Sequence, residues 1–282
     1  DLATDAAFKA VKMANWDEKT IDLIILATST PEDLFGSAPK IQSNLGASNA
    51  VAFDLTAACS GFLFALVTAS QYLASGSMKR AVVIGADQLS KWVDWDDRKT
   101  CVLFGDGAGA VAIETTSGDQ NGLIGYDLKS DGSKGDCLNL SQSNIFLDLV
   151  QGATHQKGEY LPIKMEGKEV YKFAVKEVPI ILGEILDKYQ IKSEKIAIFG
   201  AGGSATLFLH NFPFIIEQIS FAIDSDQKKL GQFLCNGKIP IISPDKIEEQ
   251  EIEYIIVLDS SHIEFLKYKK AKFINIGKLY DI

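Results

Sequence analysis

A cysteine at the end of a predicted strand is the residue best placed to do chemistry. Cys59 stands among small residues in the string Thr56-Ala-Ala-Cys-Ser-Gly-Phe. A short strand is predicted before it, over Val51–Thr56, and an almost wholly apolar helix after it, over Ser60–Ala74. At the beginning of a helix, unpaired backbone N–H groups and the positive end of the helix dipole favour a thiolate over a thiol. The pattern leaves two interpretations open, a nucleophile or a buried structural cysteine.

A glycine-rich segment, Phe104-Gly-Asp-Gly-Ala-Gly-Ala, could also approach a ligand closely. Alternate glycines permit tight turns and close backbone contact, as a phosphate-binding loop requires. Strand character runs through Val102–Thr115, however, and no clear helix follows the glycines. The segment by itself therefore favours a structural turn.

A second glycine segment, Ile198-Phe-Gly-Ala-Gly-Gly-Ser-Ala, follows a predicted strand and begins a predicted helix. Asp224 ends the next strand along the chain. In a Rossmann-type unit, glycines at this place let phosphates approach the backbone, and the acidic group binds a ribose hydroxyl. The alternative is a Rossmann-like unit that binds no dinucleotide. The candidate nucleotide-binding residues are Gly200, Gly202, Gly203 and Asp224.

Composition argues against several classes of protein. The net charge is −9 and Arg80 and Arg98 are the only arginines, so the chain offers no sizeable basic face for nucleic acid. Its 4 cysteines form no CxxC pair, which argues against a zinc site and a disulfide scaffold and predicts a reduced, cytoplasmic protein. No apolar run reaches the length of a membrane span, and no signal sequence is visible. We therefore expect no membrane or nucleic-acid partner and no bound metal.

Strands and helices alternate in the first two thirds of the chain, which predicts an α/β fold with a mostly parallel sheet. Residues 140–164 are less regular and are predicted to form a long surface loop. The predicted helices are 3–15, 38–45, 60–74 and 167–189, and the predicted strands are 21–28, 51–56, 81–86, 102–115 and 123–130.

The last third has the character of a separate unit, so two domains are predicted, residues 1–195 and 196–282. Its predicted strands are 196–199, 219–224, 239–242, 254–258 and 272–276, and its predicted helix is 204–212.

Several strings of the first domain are similar to those of β-ketoacyl–acyl-carrier-protein synthase III, a thiolase-fold condensing enzyme. They are Asp54-Leu-Thr-Ala-Ala-Cys-Ser-Gly-Phe, Ala81-Val-Val-Ile-Gly-Ala-Asp, Asp97-Arg-Lys-Thr-Cys-Val-Leu-Phe-Gly-Asp-Gly-Ala-Gly-Ala and Met165-Glu-Gly-Lys-Glu-Val-Tyr-Lys-Phe-Ala-Val. The resemblance covers residues 1 to about 195. It implies a layered α/β/α thiolase-like portion, incomplete here, followed by the small Rossmann-like unit.

The resemblance implies a reaction and a role for each matching residue. Cys59 would take an acetyl group from acetyl-CoA and condense it with malonyl-acyl carrier protein, which begins fatty-acid synthesis. Its own backbone N–H would contribute to the oxyanion hole. The implied partners are acyl-CoA, acyl carrier protein and a second copy of the chain in a homodimer. The substrate-binding residues would be Phe35 at the dimer interface and the partner's acyl pocket, Arg98 at the coenzyme A entrance, Phe104 in the channel, Gly167 and Tyr171 beside the pantetheine tunnel, and Lys172 towards the acidic carrier protein.

The chain departs from this family after the predicted helix 167–189. The family's His-Gln-Ala-Asn string, expected near residue 202, is absent, as is the later Gly-Asn-Thr-Ser string that carries an asparagine. His155, His210 and His262 have neither context, so impaired condensation is expected. The tail instead resembles small Rossmann-like domains of sugar-modifying transferases and sugar methyltransferases. A natural fusion, a truncated gene product and an assembled chimera all remain open as origins.

The tail also provides an alternative function. It would be a nucleotide- or sugar-nucleotide-binding module acting through residues 198–224, with the first domain as an inert scaffold.

Overall fold

The chain forms two compact units, Asp1–Val170 and Tyr171–Ile282. A computed structural model describes residues 1–116, 123, 125–143, 145–189, 196–211, 213–257 and 272–275. The predicted domain boundary at 195 lies outside the described residues. The two units divide earlier than that, within a helix that runs through Gly167–Lys188.

A four-stranded sheet organises the first unit. Its strand order is β2-β1-β3-β4, with β1 parallel to β2 and β3 and with β4 antiparallel to β3. The bounds are β1 Leu23–Ala27, β2 Val51–Leu55, β3 Arg80–Gln88 and β4 Asp106–Glu114. The predicted mostly parallel sheet is therefore confirmed for this unit.

Helices cover both faces of this sheet, as a thiolase-like layered fold requires. Successive side chains of a strand point to opposite faces. Ile24 and Leu26 accordingly pack with helices α1 and α2, whereas Leu23 and Ile25 pack with α3. The helix bounds are α1 Leu2–Ala14, α2 Ala38–Leu45 and α3 Gly61–Ala74.

Two predictions for the region after β4 are wrong. None of the described residues in 123–130 belongs to a strand, because strand-forming residues need a neighbouring strand with which to pair. The predicted loop 140–164 instead contains a hairpin of β6 Phe146–Val150 and β7 Ala153–Gln156. Gly152, with φ of 82°, makes the tight turn between its strands. A second small ladder pairs β5 Leu138–Asn139 with β8 Lys164–Met165.

A six-stranded sheet of order β11-β12-β10-β9-β13-β14 organises the second unit. All its pairs are parallel except that of β11 with β12. Its helices are α4 Gly167–Lys188, which begins in the first unit, and α5 Gly203–Asn211. The strands are β9 Ile196–Phe199, β10 Phe221–Ile223, β11 Phe233–Leu234, β12 Ile239–Ile242, β13 Tyr254–Val257 and β14 Lys272–Asn275.

In the described part of the chain, no helix is long and apolar enough to cross a membrane. Among the same residues, no group of three His, Cys, Asp or Glu side chains is arranged to hold a metal ion.

Candidate functional site

Cys59 lies on a turn that joins the end of β2 to the beginning of α3. This turn, residues 56–60, carries the predicted nucleophile and is called the nucleophile turn. It contains a short 3-10 helix, Ala58–Ser60, and the backbone N–H of Gly61 donates to the carbonyl of Ala58. Cys59 is exposed to solvent. Cys59 thus lies between a strand and the amino end of a helix, as the sequence predicts, and its role as nucleophile remains a prediction.

Small residues allow α3 to begin close against the sheet. A methyl group on Gly61 would lie 3.3 Å from the Cβ of Ala27, at the end of β1. One on Gly85, in β3, would lie 3.3 Å from the ring of Phe62. Larger residues at these two glycines would therefore push the beginning of the helix away from the strand ends.

Ala58, just before the cysteine, has a left-handed backbone conformation with φ of 48°. Alanine in this conformation is strained, and such strain often occurs where a backbone must present a side chain for function. The strain is the local cost of the sharp change of direction between β2 and α3.

We expect Ala58→Val to lower the free energy of unfolding of the first unit by about 1–2 kcal/mol, because a β-branched residue fits a positive φ poorly. Ala58→Gly is the matched control and should leave stability unchanged or raise it, since glycine adopts this φ freely. Native-state hydrogen exchange of amides in β1 and β3 measures the change. Equal exchange protection in the valine variant and the parent would refute the strain.

Arg98 and Phe104 belong to a series of turns between β3 and β4. Thr100 is fully buried, and its hydroxyl bonds to the carbonyl and the carboxylate of Asp97, at 3.2 Å each. The backbone N–H of Phe104 donates to the Thr100 carbonyl at 3.2 Å. Arg98 is exposed and Phe104 is half-buried.

The glycines after Phe104 lie mostly in a strand rather than in a turn. Gly107 and Gly109 belong to β4 and pair with Asp87 and Gly85 of β3. Asp106, at the start of β4, accepts hydrogen bonds from the Ser90 backbone N–H and hydroxyl, at 2.9 and 2.8 Å. These bonds lower the pKa of Asp106. Gly107 and Gly109 are therefore part of the sheet, as the strand character of 102–115 predicts, and not of a turn.

Phe35 projects almost completely into solvent. It is 99% exposed, and its neighbour Leu34 is 90% exposed. Both lie between β1 and α2. Adjacent apolar side chains that are this exposed are typical of an interaction surface.

Gly167, Tyr171 and Lys172 lie in the first turns of α4. A methyl group on Gly167 would lie 3.3 Å from the terminal methyl of Met165, which favours glycine where this helix begins. Tyr171 is 69% exposed and Lys172 is exposed, and both belong to the second unit.

In the second unit, the predicted glycine turn joins β9 to α5. Gly200 has φ of 92°, which favours glycine, and its N–H donates to the Ile223 carbonyl at 2.7 Å. Gly202 accepts from the Thr206 hydroxyl at 3.0 Å, and Gly203 begins the helix. The strand–turn–helix order is that of a Rossmann-type unit.

The carboxylate of Asp224 accepts hydrogen bonds from other residues of the second unit. The residue is 8% exposed, and its carboxylate accepts from the backbone N–H of Ala201 at 2.8 Å and of Asp226 at 2.9 Å. The ammonium of Lys229 lies 2.8 Å away. Burial by itself raises the pKa of Asp224, but the bonds from Lys229 and the two N–H groups outweigh it, so the pKa is lowered. The same bond raises the pKa of Lys229.

Asp224→Ala should lower the stability of the second unit by about 2 kcal/mol, because hydrogen bonds to a charged group are the strong ones. The pKa of Asp224 is lowered and that of Lys229 is raised in the folded protein. Their ion pair therefore stabilises the second unit between about pH 4 and pH 10. The contribution is lost as pH falls through the folded pKa of Asp224, or rises through that of Lys229. Hydrogen exchange of β9 and β10 amides at pH 7 and at successively lower pH measures it. A variant as protected as the parent at pH 7 would disprove the role.

A cleft of about 310 Å³ opens at the carboxyl ends of β1 and β3. Its lining includes Thr30, Lys40 and Asp87 but not Cys59. Cys59, the predicted nucleophile, therefore does not line this cleft.

Comparison with known proteins decides the family. Residues 53–132, which contain Cys59, match the family profile described as 3-oxoacyl-[acyl-carrier-protein (ACP)] synthase III. The solved structure of 3-oxoacyl-[acyl-carrier-protein] synthase III from Aquifex aeolicus VF5 is 30% identical, with a TM-score of 0.60, over 97% of this chain and 78% of that chain. The chain belongs to the 3-oxoacyl-[acyl-carrier-protein] synthase III family.

Other relatives agree with this. The Pseudomonas aeruginosa PAO1 synthase III structure has a TM-score of 0.62 at 29% identity, over 77% of this chain and 64% of that chain. The β-ketoacyl-[acyl-carrier-protein] synthase III of Prochlorococcus marinus strain NATL2A is 91% identical over 196 residues, 70% of this chain. The chain spans 58% of the length of that relative.

The C-terminal part of the chain matches a different family profile. Residues 162–280 match a profile described as a C-methyltransferase C-terminal domain. The resemblance of the first portion to synthase III and its thiolase-like fold are confirmed. The tail match agrees with the resemblance to methyltransferases, and its profile description names no sugar.

Three charged residues that are not among the predicted site residues make hydrogen bonds near them. Asp54, Asp87 and Lys229 each bond to a segment that carries a predicted site residue. A signal was present for Asp54, because a lone carboxylate in the otherwise apolar strand Val51–Leu55 needs hydrogen-bond partners. Lys229 gave no such signal, since surface lysines are common.

Proposed function

We propose that this chain is a β-ketoacyl-acyl-carrier-protein synthase III in which Cys59 accepts the acyl group. The observation that carries the proposal is the exposed Cys59 on the strained nucleophile turn, at the amino end of α3, in a member of this family.

The chemistry begins with the Cys59 thiolate attacking the carbonyl carbon of acetyl-CoA. The N–H groups at the beginning of α3 and of Cys59 itself stabilise the negative oxygen of the tetrahedral intermediate. When the intermediate collapses, the bond from carbon to the coenzyme A sulfur breaks, coenzyme A leaves as a thiolate and Cys59 carries the acetyl group. Acyl-CoA is a substrate, and no permanently bound cofactor takes part.

The second substrate is malonyl carried on acyl carrier protein. Loss of CO₂ leaves a carbanion that attacks the acetyl carbonyl and releases the Cys59 thiolate with a 3-oxoacyl product. Phe104 lines the channel, Arg98 lies at its coenzyme A entrance, and Gly167 and Tyr171 flank the pantetheine. Lys172 provides positive charge towards the acidic carrier protein.

The proposed assembly is a homodimer. Leu34 and Phe35 are 90% and 99% exposed, and a second copy would bury them. Phe35 then contributes to the acyl pocket of the partner subunit. Removing two apolar side chains from water favours such association.

The alternative, a nucleotide-binding module, rests on Gly200, Gly202, Gly203 and Asp224. Family membership favours the synthase over this alternative. The carboxylate of Asp224 already bonds to Ala201, Asp226 and Lys229, which supports a structural role for it rather than a bond to ribose. Calorimetric titration with NAD and a sugar nucleotide tests the alternative, and binding of either would support it.

Intact-protein mass spectrometry after incubation with acetyl-CoA tests the proposed function. We expect the mass of one acetyl group to be added, at Cys59 by peptide mapping. A folded protein that gains no acetyl group would overturn the proposal.

A further inference from the structure

The segment that carries Phe35 is held at both ends by carboxylates from the sheet. Residues 28–37, named here the tip loop, connect β1 to α2 and place Leu34 and Phe35 in solvent. Because the apolar tip is almost fully exposed, packing does little to fix the loop, and hydrogen bonds at its two ends have to hold it in place.

Asp87, in β3, fixes the beginning of the tip loop. Its Oδ1 accepts from the Ser29 N–H at 2.7 Å and from the hydroxyls of Thr28 and Thr30 at 3.2 and 3.3 Å. The Thr30 hydroxyl in turn accepts from the Gln88 N–H at 2.7 Å. One oxygen of this carboxylate therefore serves three donors.

Asp54, in β2, fixes the end of the tip loop and uses both oxygens. Oδ2 accepts from the Ser37 N–H at 2.8 Å, and Oδ1 accepts from the Ala38 N–H at 2.7 Å. Ala38 begins α2, so the carboxylate also satisfies an N–H group at the amino end of that helix. Gly36, with φ of 110°, lets the backbone curve towards Asp54.

We infer that Asp54 is a positioning residue that couples the tip loop to the nucleophile turn. The strand that carries Asp54 ends at Leu55, immediately before the turn with Cys59. One strand therefore sets the position of the nucleophile and of Phe35. The inference rests on the proposed function, in which Phe35 contributes to the acyl pocket of the partner subunit, and it assigns Asp54 control over which acyl chain the active site of that subunit accepts.

Asp54→Ala, compared with Asp22→Ala, tests the inference. Asp22 is a matched control because its Oδ2 also accepts two backbone N–H groups, of Lys79 and Arg80, at 2.8 and 3.0 Å. It lies at the other end of the sheet from the nucleophile turn, just before β1. Both variants lose two charge-assisted bonds, so a general loss of stability should affect both alike.

The first readout is the ratio of Cys59 acylation by acetyl-CoA to that by hexanoyl-CoA, followed by mass spectrometry. We expect Asp54→Ala to change this ratio roughly tenfold, since pocket contacts discriminate acyl chains on that scale. Asp22→Ala should keep the parent ratio. The same ratio in both variants would overturn the inference while leaving acylation, and with it the proposed function, intact.

The second readout is hydrogen exchange of the Ser37 and Ala38 amides. We expect it to be roughly tenfold faster in Asp54→Ala, equivalent to about 1.4 kcal/mol, and unchanged in Asp22→Ala. If no acyl-CoA modifies the parent, the proposed function fails and exchange alone decides. Unchanged exchange in Asp54→Ala would then overturn the inference, and faster exchange would support the positioning of the loop.

The asparagine variants give a sharper comparison. Asp87→Asn keeps one acceptor oxygen, which suffices for its three donors, so the ratio should remain that of the parent. Asp54→Asn places an NH₂ donor against a backbone N–H donor and should change the ratio as Asp54→Ala does. A change in Asp87→Asn together with none in Asp54→Asn would contradict the assignment.

Discussion

Cys59→Ala should abolish acetylation by acetyl-CoA completely, because alanine has no nucleophilic atom to form the thioester. The loss is expected to be all or none, since the acetyl group is bonded to this sulfur in the proposed mechanism. Intact-mass spectra of parent and variant after equal incubation measure it. Cys59→Ser should be acylated far more slowly, because a hydroxyl is a much weaker nucleophile than a thiolate.

The other cysteines provide matched controls for this experiment. Cys101, Cys137 and Cys235 are free and half-buried, and desolvation raises the pKa of the Cys235 thiol. Each alanine variant of these three should gain one acetyl group as the parent does. An acetyl group found on the Cys59→Ala variant would show that another residue is the nucleophile.

Condensation by this chain should be at least about a hundredfold slower than by the synthase III of Prochlorococcus marinus NATL2A. The histidine and asparagine that the family resemblance assigns to decarboxylation are missing, and each acid–base or electrostatic group of this kind typically supplies a factor of ~10² or more. Residues 196–204, where the histidine string is expected, form β9, the glycine turn and the beginning of α5. Formation of 3-oxoacyl product from acetyl-CoA and malonyl-acyl carrier protein measures the rate.

Acetylation of Cys59 in the same sample is the internal control for condensation. An acetylated chain that fails to condense would show that the first half-reaction survives and the second does not. Turnover equal to that of the Prochlorococcus protein would show that other residues of this chain replace the missing pair.

Local sequence patterns predicted most of the first unit. The five residues Leu23–Ala27 are all buried, as an uninterrupted aliphatic run predicts for a central parallel strand. Gly46 ends α2 with φ of 74°, as a glycine after a helical pattern predicts. Sequence patterns do not predict the hairpin 146–156, because its strands are exposed and lack the apolar alternation that marks a half-buried strand.

The sequence by itself determined the family of the first portion, the place of Cys59 between a strand and a helix, and the Rossmann-like order of the tail. These are consequences of residue type and near-neighbour spacing. Only the tertiary structure decided where the carboxylates act. Asp54 accepts hydrogen bonds from Ser37 and Ala38, and Asp87 accepts one from Ser29. Each of these bonds joins residues that are distant in the chain. Parallel pairing of β1 with β2 and β3 brings these strand ends to one edge, and pairing between distant strands cannot be deduced from local periodicity.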